Sequence, residues 1–437
     1  MEGGTVLYGL FFAVLYREIS NGWNECSPRV FPYTVTLGVC YNSIRNIIVR
    51  RGDQTVKFIH TADWHLGKLV HGIYMTEEQR YILEEFIKLV KEEEPDAVVI
   101  AGDLYDRSVP PTEAVELLDE VLYRINVELD TPIVAVSGNH DSAERLSFGS
   151  SWYKHSHFYL KGKITKDFTP INIKGVNFHC VPYAEPGTVR QVLEDDSVNS
   201  HHGAMEAIVK RIEEHMNPDE PHVFVGHAFV LGGKTTDSER TLSVGGSGCV
   251  GAEVFRPFHY TALGHLHSPD AIKHETIRYS GSLLKYSFSE ASQRKSVTIV
   301  DMEKNGSFQL REKVLQPKLD MRELHGHMEE LLAPSFYQSQ KVDDYLKITL
   351  HDEGTLIDPI NQLRQVYPNV LHLERKRDLT DAKKKNTFQA VLEDKTRSEM
   401  DLFKEFYRDM TTSEFSDEKE EVLETVIEKA RREVDQA

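Results

Sequence analysis

The four cysteines in 437 residues, Cys26, Cys40, Cys180 and Cys249, show no C-x-x-C spacing. That argues against a zinc knuckle and a disulfide framework, and fits a reducing, cytoplasmic setting. Long apolar runs are also missing. The only one near the N-terminus, Val6 to Tyr16, is too short to span a bilayer. It has no basic n-region, since Glu2 is the only early charge, and no A-x-A site follows, so neither a signal peptide nor a membrane partner is expected. Positive balance is absent as well: 51 Lys and Arg against 69 Asp and Glu give a formal net charge of -18. Such a surface does not attract nucleic acid at long range. A DNA-binding role would need positive charge from bound cations, a basic groove or a partner. There is no internal repeat.

What is present begins abruptly. Residues 1–55 show no clear periodicity, with Trp23, Pro28, Pro32 and a basic stretch from Arg45 to Arg51. Order starts at Val56-Lys57-Phe58-Ile59-His60-Thr61-Ala62-Asp63, a natural first strand. Valine can be encoded by GTG, an alternative start codon, so Val56 is a candidate true start and 1–55 an extension of doubtful origin, expected to be poorly ordered. Thr76 and Gln79 have capping-box spacing before a helix whose apolar positions are Ile82, Leu83, Phe86, Ile87 and Val90, ended by Pro95. A buried strand, Val98 to Ala101, stops at Gly102-Asp103. A second helix from about Thr112 would place Val115, Leu118, Leu122, Ile125 and Leu129 on one face. Pro132 to Val136 reads as the next strand, and this alternation predicts a parallel sheet covered by helices. Further strands are expected at Val176–Val181, His222–Gly226, Tyr260–Gly264, Arg278–Ser280 and Ser296–Met302. Near 318 the pattern changes to a small α+β unit, with strands at Asp344–Leu350 and Val370–Glu374 around a helix at Asp358–Val366. Residues 397–437 read as acidic helices, with thirteen Asp and Glu against seven Lys and Arg. Their apolar stripes are Met400, Phe403, Phe406 and Tyr407, then Val422, Leu423, Val426, Ile427 and Ala430.

Five strand ends carry metal-type ligands: Asp63-Trp64-His65, Gly102-Asp103, Gly138-Asn139-His140-Asp141, Gly226-His227 and Gly264-His265-Leu266-His267. Taken singly, Asp103, Asp63-x-His65 and His227 read more readily as turn aspartates or a core histidine, whereas Gly264-His265-Leu266-His267, with both imidazoles on one side of an extended segment, and Gly138-Asn139-His140-Asp141 are stronger signals. Together, on strand ends, they can converge on one sheet edge, where open α/β folds bind ligands. Carboxylates, imidazoles and one amide oxygen suit Mn²⁺, Fe or Zn²⁺ rather than a thiolate site. Two such ions, ~3.5–4 Å apart, clamp a phosphoryl group and generate hydroxide near neutral pH. Asp103 can supply the bridging carboxylate.

This order of motifs resembles the calcineurin-like metallophosphoesterase family over about 56–300. Within it, Phe58 to Gly67, Gly232 to Arg240 and Tyr279 to Glu290 are similar to DNA nucleases that work with an SMC-like ATPase. The resemblance implies a sandwich of two β-sheets flanked by helices, with a small α+β capping domain and C-terminal helices. By position it implies one ion held by Asp63, His65, Asp103 and His267, and a second by Asp103, Asn139, His227 and His265. His140 would contact the scissile phosphate and assist the leaving group. It also implies Mn²⁺ and cleavage of DNA hairpins and double-strand ends in replication, recombination and repair. The nuclease subunit would act as a homodimer within a heterotetramer with the ATPase. The expected organisation is an extension over 1–55, a nuclease domain over 56–317, a capping domain over 318–378, a linker over 379–396 and ATPase-binding helices over 397–437. A phosphatase is the alternative, because Gly102 to Arg107 also resembles a phosphatase loop. A scaffold with a structural metal site is the third, although seven ligands for two ions leave open positions.

Overall fold

Alternation along the strands builds two sheets. The computed structural model describes residues 55–239, 248–353, 355–376 and 415–434, with scattered positions between 398 and 407. The extension before Thr55 and the 379–396 linker therefore lie outside the described residues. Thr55–Thr61 (β1), Ala97–Ala101 (β2), Ile133–Val136 (β3) and Phe158–Lys161 (β4) are parallel neighbours. Ile171–Ile173 (β5), Val176–Val181 (β6), His222–His227 (β7), Tyr260–Gly264 (β8) and Ile277–Tyr279 (β9) form a second sheet in the order β9-β8-β7-β6-β5. The chain then returns through Ser296–Glu303 (β10) and Phe308–Val314 (β11), so the first sheet runs β11-β10-β1-β2-β3-β4. The strand pattern alone predicts one parallel sheet; the observed arrangement is two sheets, each with an antiparallel edge strand.

Every residue of β2 is buried, and the period of two divides them. Val98 and Ile100 face the helices, whereas Ala97, Val99 and Ala101 join Phe58, Val134, Phe178, Val225 and Tyr260 between the sheets. Helix α1, Thr76–Glu93, covers the first sheet with Ile82, Leu83, Phe86, Ile87 and Val90. Each such burial contributes about 1.5–3 kcal/mol. The helix ends where Glu94 turns left-handed and donates its N–H to Val90 O, just before Pro95. Helix α2, Thr112–Tyr123, departs from the expected stripe at Val115 alone: Leu118 and Ile125 are buried, and Leu122 and Leu129 pack partly buried against the same core. Its buried residues are Ala114, Leu117, Leu118 and Val121, while Val115 is 43% exposed. Ala114 packs close to Gly67, where an added Cβ would lie 3.1 Å from the Ala114 Cβ. Helices α3, Pro186–Leu193, and α4, His201–Glu213, cover the second sheet.

Three further strands, Met321–Gly326 (β12), Tyr345–Leu350 (β13) and Val370–Arg375 (β14), make a small parallel sheet with its own core around Leu331, Ile348, Leu363 and Tyr367. It meets the larger body through Lys285, which pairs with Asp320 at 3.0 Å, and Tyr345, whose hydroxyl donates to Glu78 at 2.7 Å. Among the described residues at the C-terminus, Asp417–Val434 is a helix (α5), and the Ser416 carbonyl accepts its first backbone bonds. No described helix is long and apolar enough to cross a membrane.

Candidate metal centre

The site forms where the carboxyl ends of β1, β2, β3, β7 and β8 meet. Asp63, His65, Asp103, His227, His265 and His267 are buried to within 4% exposure, whereas Asn139 and His140 are half-buried. The cluster is therefore most accessible on the Asn139–His140 side. Backbone bonds lock the loops together: Asp63 N–H donates to Gly102 O at 3.1 Å and His65 N–H to Asp103 O at 2.9 Å. Across the sheets, His265 N–H donates to Asp63 Oδ1 at 2.9 Å.

Two glycines make this convergence feasible. A Cβ on Gly138 would lie 2.1 Å from Asp103 Oδ1, and one on Gly264 would lie 2.0 Å from Ala101 O. The chain is also strained here. Asp63 (φ 54°), His65 (47°), Asp103 (51°) and His265 (105°) are all left-handed without being glycine. Each such residue costs about 1–3 kcal/mol and persists where the surroundings enforce it for function.

The side-chain distances match the edges of a coordination shell. His65 Nε2 and His267 Nε2 are 3.0 Å apart, His227 Nε2 and Asn139 Oδ1 2.9 Å, and His265 Nδ1 and Asn139 Oδ1 3.2 Å. Asp103 Oδ2 lies 3.5 Å from His65 Nε2 and 3.4 Å from His227 Nε2, between the two groups. Ligand atoms ~2.1 Å from one ion and at right angles to each other are ~3.0 Å apart. Three sets of side chains come within metal-holding reach of one another: Asp63, His65 and His267; Asp63, Asp103 and His227; and His65, Asp106 and His140.

Electrostatics agree with that chemistry. Burial pushes His65 down to about 3 and His265 well below its ordinary value, leaving neutral imidazoles with a lone pair to give. Burial alone would lower His227, but Asp103 and Asp63 beside it hold it up at about 9. Burial likewise pushes Asp63 well above its ordinary range, with the Asp103 charge adding to it. For Asp103 the neighbouring His227 overrides burial, and the carboxyl stays well below its usual range. Without metal, the protons kept on Asp63 and His227 relieve the crowding of buried charge; a divalent cation that displaces them meets two carboxylates and neutral imidazoles, a donor set that fits it.

Three residues support the site in ways the sequence did not indicate. Gln79 has the spacing of a capping partner, yet α1 has Met75 at its N-cap with no side-chain cap bond. The Gln79 side chain turns inward instead, donating to His65 O at 2.7 Å and accepting from Gly67 N–H at 3.0 Å. Asp106 lies 3.5 Å from His65 Nδ1, and its carbonyl accepts from His140 Nδ1 at 2.8 Å. Asp141 accepts from the N–H groups of Tyr105 and Gly138, both at 2.9 Å, tying two ligand loops together. Asp106 and Asp141 could be flagged by lying in or beside the ligand motifs, whereas the capping-box spacing of Gln79 pointed elsewhere.

Residues 56–269 match the calcineurin-like phosphoesterase family model. This region is similar to the calcineurin-like phosphoesterases. Residues 317–411 of the same chain match a second family model, SbcD_C, described as the type 5 capsule protein repressor C-terminal domain. Among solved structures, TT1561 of Thermus thermophilus is 14% identical, with a TM-score of 0.34, covering 59% of this chain and 99% of that one. A dimetal phosphatase from Danio rerio is 13% identical, with a TM-score of 0.32, covering 60% of this chain and 100% of that one. The candidate ligand groups lie at the strand ends of this matched region.

Proposed function

We propose that the chain is the nuclease subunit of an SbcD-type complex. It would be a Mn²⁺-dependent 3′–5′ double-strand exonuclease and single-strand or hairpin endonuclease acting with an SbcC-type, SMC-like ATPase. The observation that carries this reading is the SbcD_C match at 317–411, C-terminal to the phosphoesterase match at 56–269 in one chain. A compact phosphatase needs no such addition.

In this reading Asp63, His65, Asp103 and His267 hold one ion, and Asp103, Asn139, His227 and His265 the other. Bound divalent ions would supply Lewis acidity to the phosphoryl oxygens and a hydroxide nucleophile near neutral pH. The chain's own contribution is orientation and proton transfer. Asp106 O accepts from His140 Nδ1–H at 2.8 Å, which fixes the ring and leaves Nε2 for the substrate. A protonated His140 keeps that bond and can give its Nε2 proton to the leaving oxygen. The half-burial of His140 supports this role, since a phosphate could reach its ring.

The ATPase would supply much of the DNA-binding surface that a chain of net charge -18 lacks. Helix α5 would dock on it through Val422 and Val426, which are 65% and 56% exposed. Exposed Phe148 and Trp152 support a protein interface such as the homodimer's. The small sheet of β12 to β14 would serve as the capping domain that helps grip DNA. A comparison of bis-p-nitrophenyl phosphate with p-nitrophenyl phosphate under Mn²⁺ tests the reading. A nuclease prefers the diester, and a strong monoester preference would favour the phosphatase alternative.

A further inference from the structure

Two of the stretches that carry the nuclease resemblance contain no proposed ligand, yet both pack behind His267. Ser238 Oγ lies 2.6 Å from His267 Nδ1 and also bonds Glu290 Oε1. Glu290 is fully buried, and its Oε2 accepts from Lys295 Nζ at 2.6 Å. Lys295 is buried too and donates to His267 O at 2.8 Å. Glu239 Oε1 accepts the His267 backbone N–H at 2.7 Å. One imidazole is thus gripped at its backbone N–H, its carbonyl and its far ring nitrogen.

Proton counting assigns the direction of each bond. Glu290, ion-paired with Lys295, is a carboxylate and can only accept. The single Ser238 hydroxyl proton therefore goes to Glu290. The Ser238 oxygen is left to accept, and the donor at 2.6 Å is His267 Nδ1–H. A neutral imidazole protonated on Nδ1 has its lone pair on Nε2. That is the atom facing His65 Nε2 at 3.0 Å.

We infer that Ser238 and Glu290 are positioning residues that set the Nδ1–H tautomer of His267 and aim its Nε2 lone pair into the metal centre. The carboxylate acts through an interposed hydroxyl rather than by direct contact, since Glu290 Oε1 is 3.6 Å from His267 Nδ1. Partners of this kind orient ligand imidazoles and raise their basicity, and their loss typically costs 10–100-fold in metal affinity. The inference rests on the two-ion reading above.

Calorimetric titration of Mn²⁺ into the metal-free full-length chain tests it, with thermal unfolding of the same samples as a check on folding. The wild type is expected to bind two ions. Ser238→Ala and Ser238→Val should weaken one of them by about 10–100-fold and leave the other unchanged. Ser238→Thr, which matches valine in shape but keeps the hydroxyl, should restore tight binding. Wild-type affinity in Ser238→Ala, or equal loss in the threonine and valine variants, would overturn the relay. A wild type that binds fewer than two ions would overturn the two-ion reading itself, and the relay with it.

Discussion

Gln79 holds His65 by the backbone. Its amide donates to His65 O at 2.7 Å while its carbonyl accepts Gly67 N–H at 3.0 Å, so α1 clamps the loop that carries two proposed ligands. Gln79 is 1% exposed, and no water replaces these bonds if the side chain is removed. Gln79→Leu should therefore destabilise the metal-free protein by about 2–4 kcal/mol, from buried groups left unpaired at about 1–3 kcal/mol each. It should also weaken Mn²⁺ binding. Denaturant unfolding and metal titration check both, and a loss below ~0.5 kcal/mol would show that the clamp is idle.

His140→Asn should lower phosphodiester cleavage by about 10²–10⁴-fold while both ions stay bound, because the ring offers a proton but is no proposed ligand. Asp103→Ala should instead lose metal, since Asp103 lies between the two ligand groups. Kinetics beside metal analysis separates the two cases. A His140→Asn enzyme of normal rate would remove His140 from catalysis.

Much of this was legible in the sequence, for reasons tied to particular residues. Val176–Val181 and Tyr260–Gly264 are apolar runs bounded by polar or glycine residues, and the structure forms both strands over those bounds. The candidate ligands were visible because each follows such a run. Phe308–Val314 and Met321–Gly326 were missed because they carry charges and alternate weakly. The division into two sheets was not readable from strand patterns, since β2 and β7 are buried on both faces and look alike in sequence. Gln79 was misread because Thr-x-x-Gln spacing is the same whether glutamine turns back to the helix start or inward to a loop. Only tertiary contact decides that.

Acid should destabilise the fold through histidines far from the metal. Burial and the neighbouring His222 push His179 down to about 3, from 6.5 in the unfolded chain. The unfolded state then takes up the proton first as pH falls. The stability held above 6.5 is lost progressively between 6.5 and about 3. His179→Phe should reduce that slope by about 1.4 kcal/mol per pH unit. Denaturant unfolding at several pH values in this window checks it, and an unchanged slope would mean that His179 protonates freely in the folded protein.

Truncation after Thr396 should spare cleavage of a short flexible substrate and abolish co-purification with an SbcC-type ATPase. Val422 and Val426 sit exposed on one face of α5, where a partner groove could cover them. A truncated chain that still co-purifies at moderate salt would place the contact elsewhere.

The decisive measurement is cleavage of a labelled DNA hairpin by the purified full-length chain, with Mn²⁺ supplied and then removed by chelation. A DNA nuclease built on Asp63, His65, Asp103, Asn139, His227, His265 and His267 should cut the hairpin only when Mn²⁺ is present, and Asp103→Ala should not cut it. A chain that leaves every DNA substrate intact under Mn²⁺ while rapidly hydrolysing phosphomonoesters would contradict the assignment.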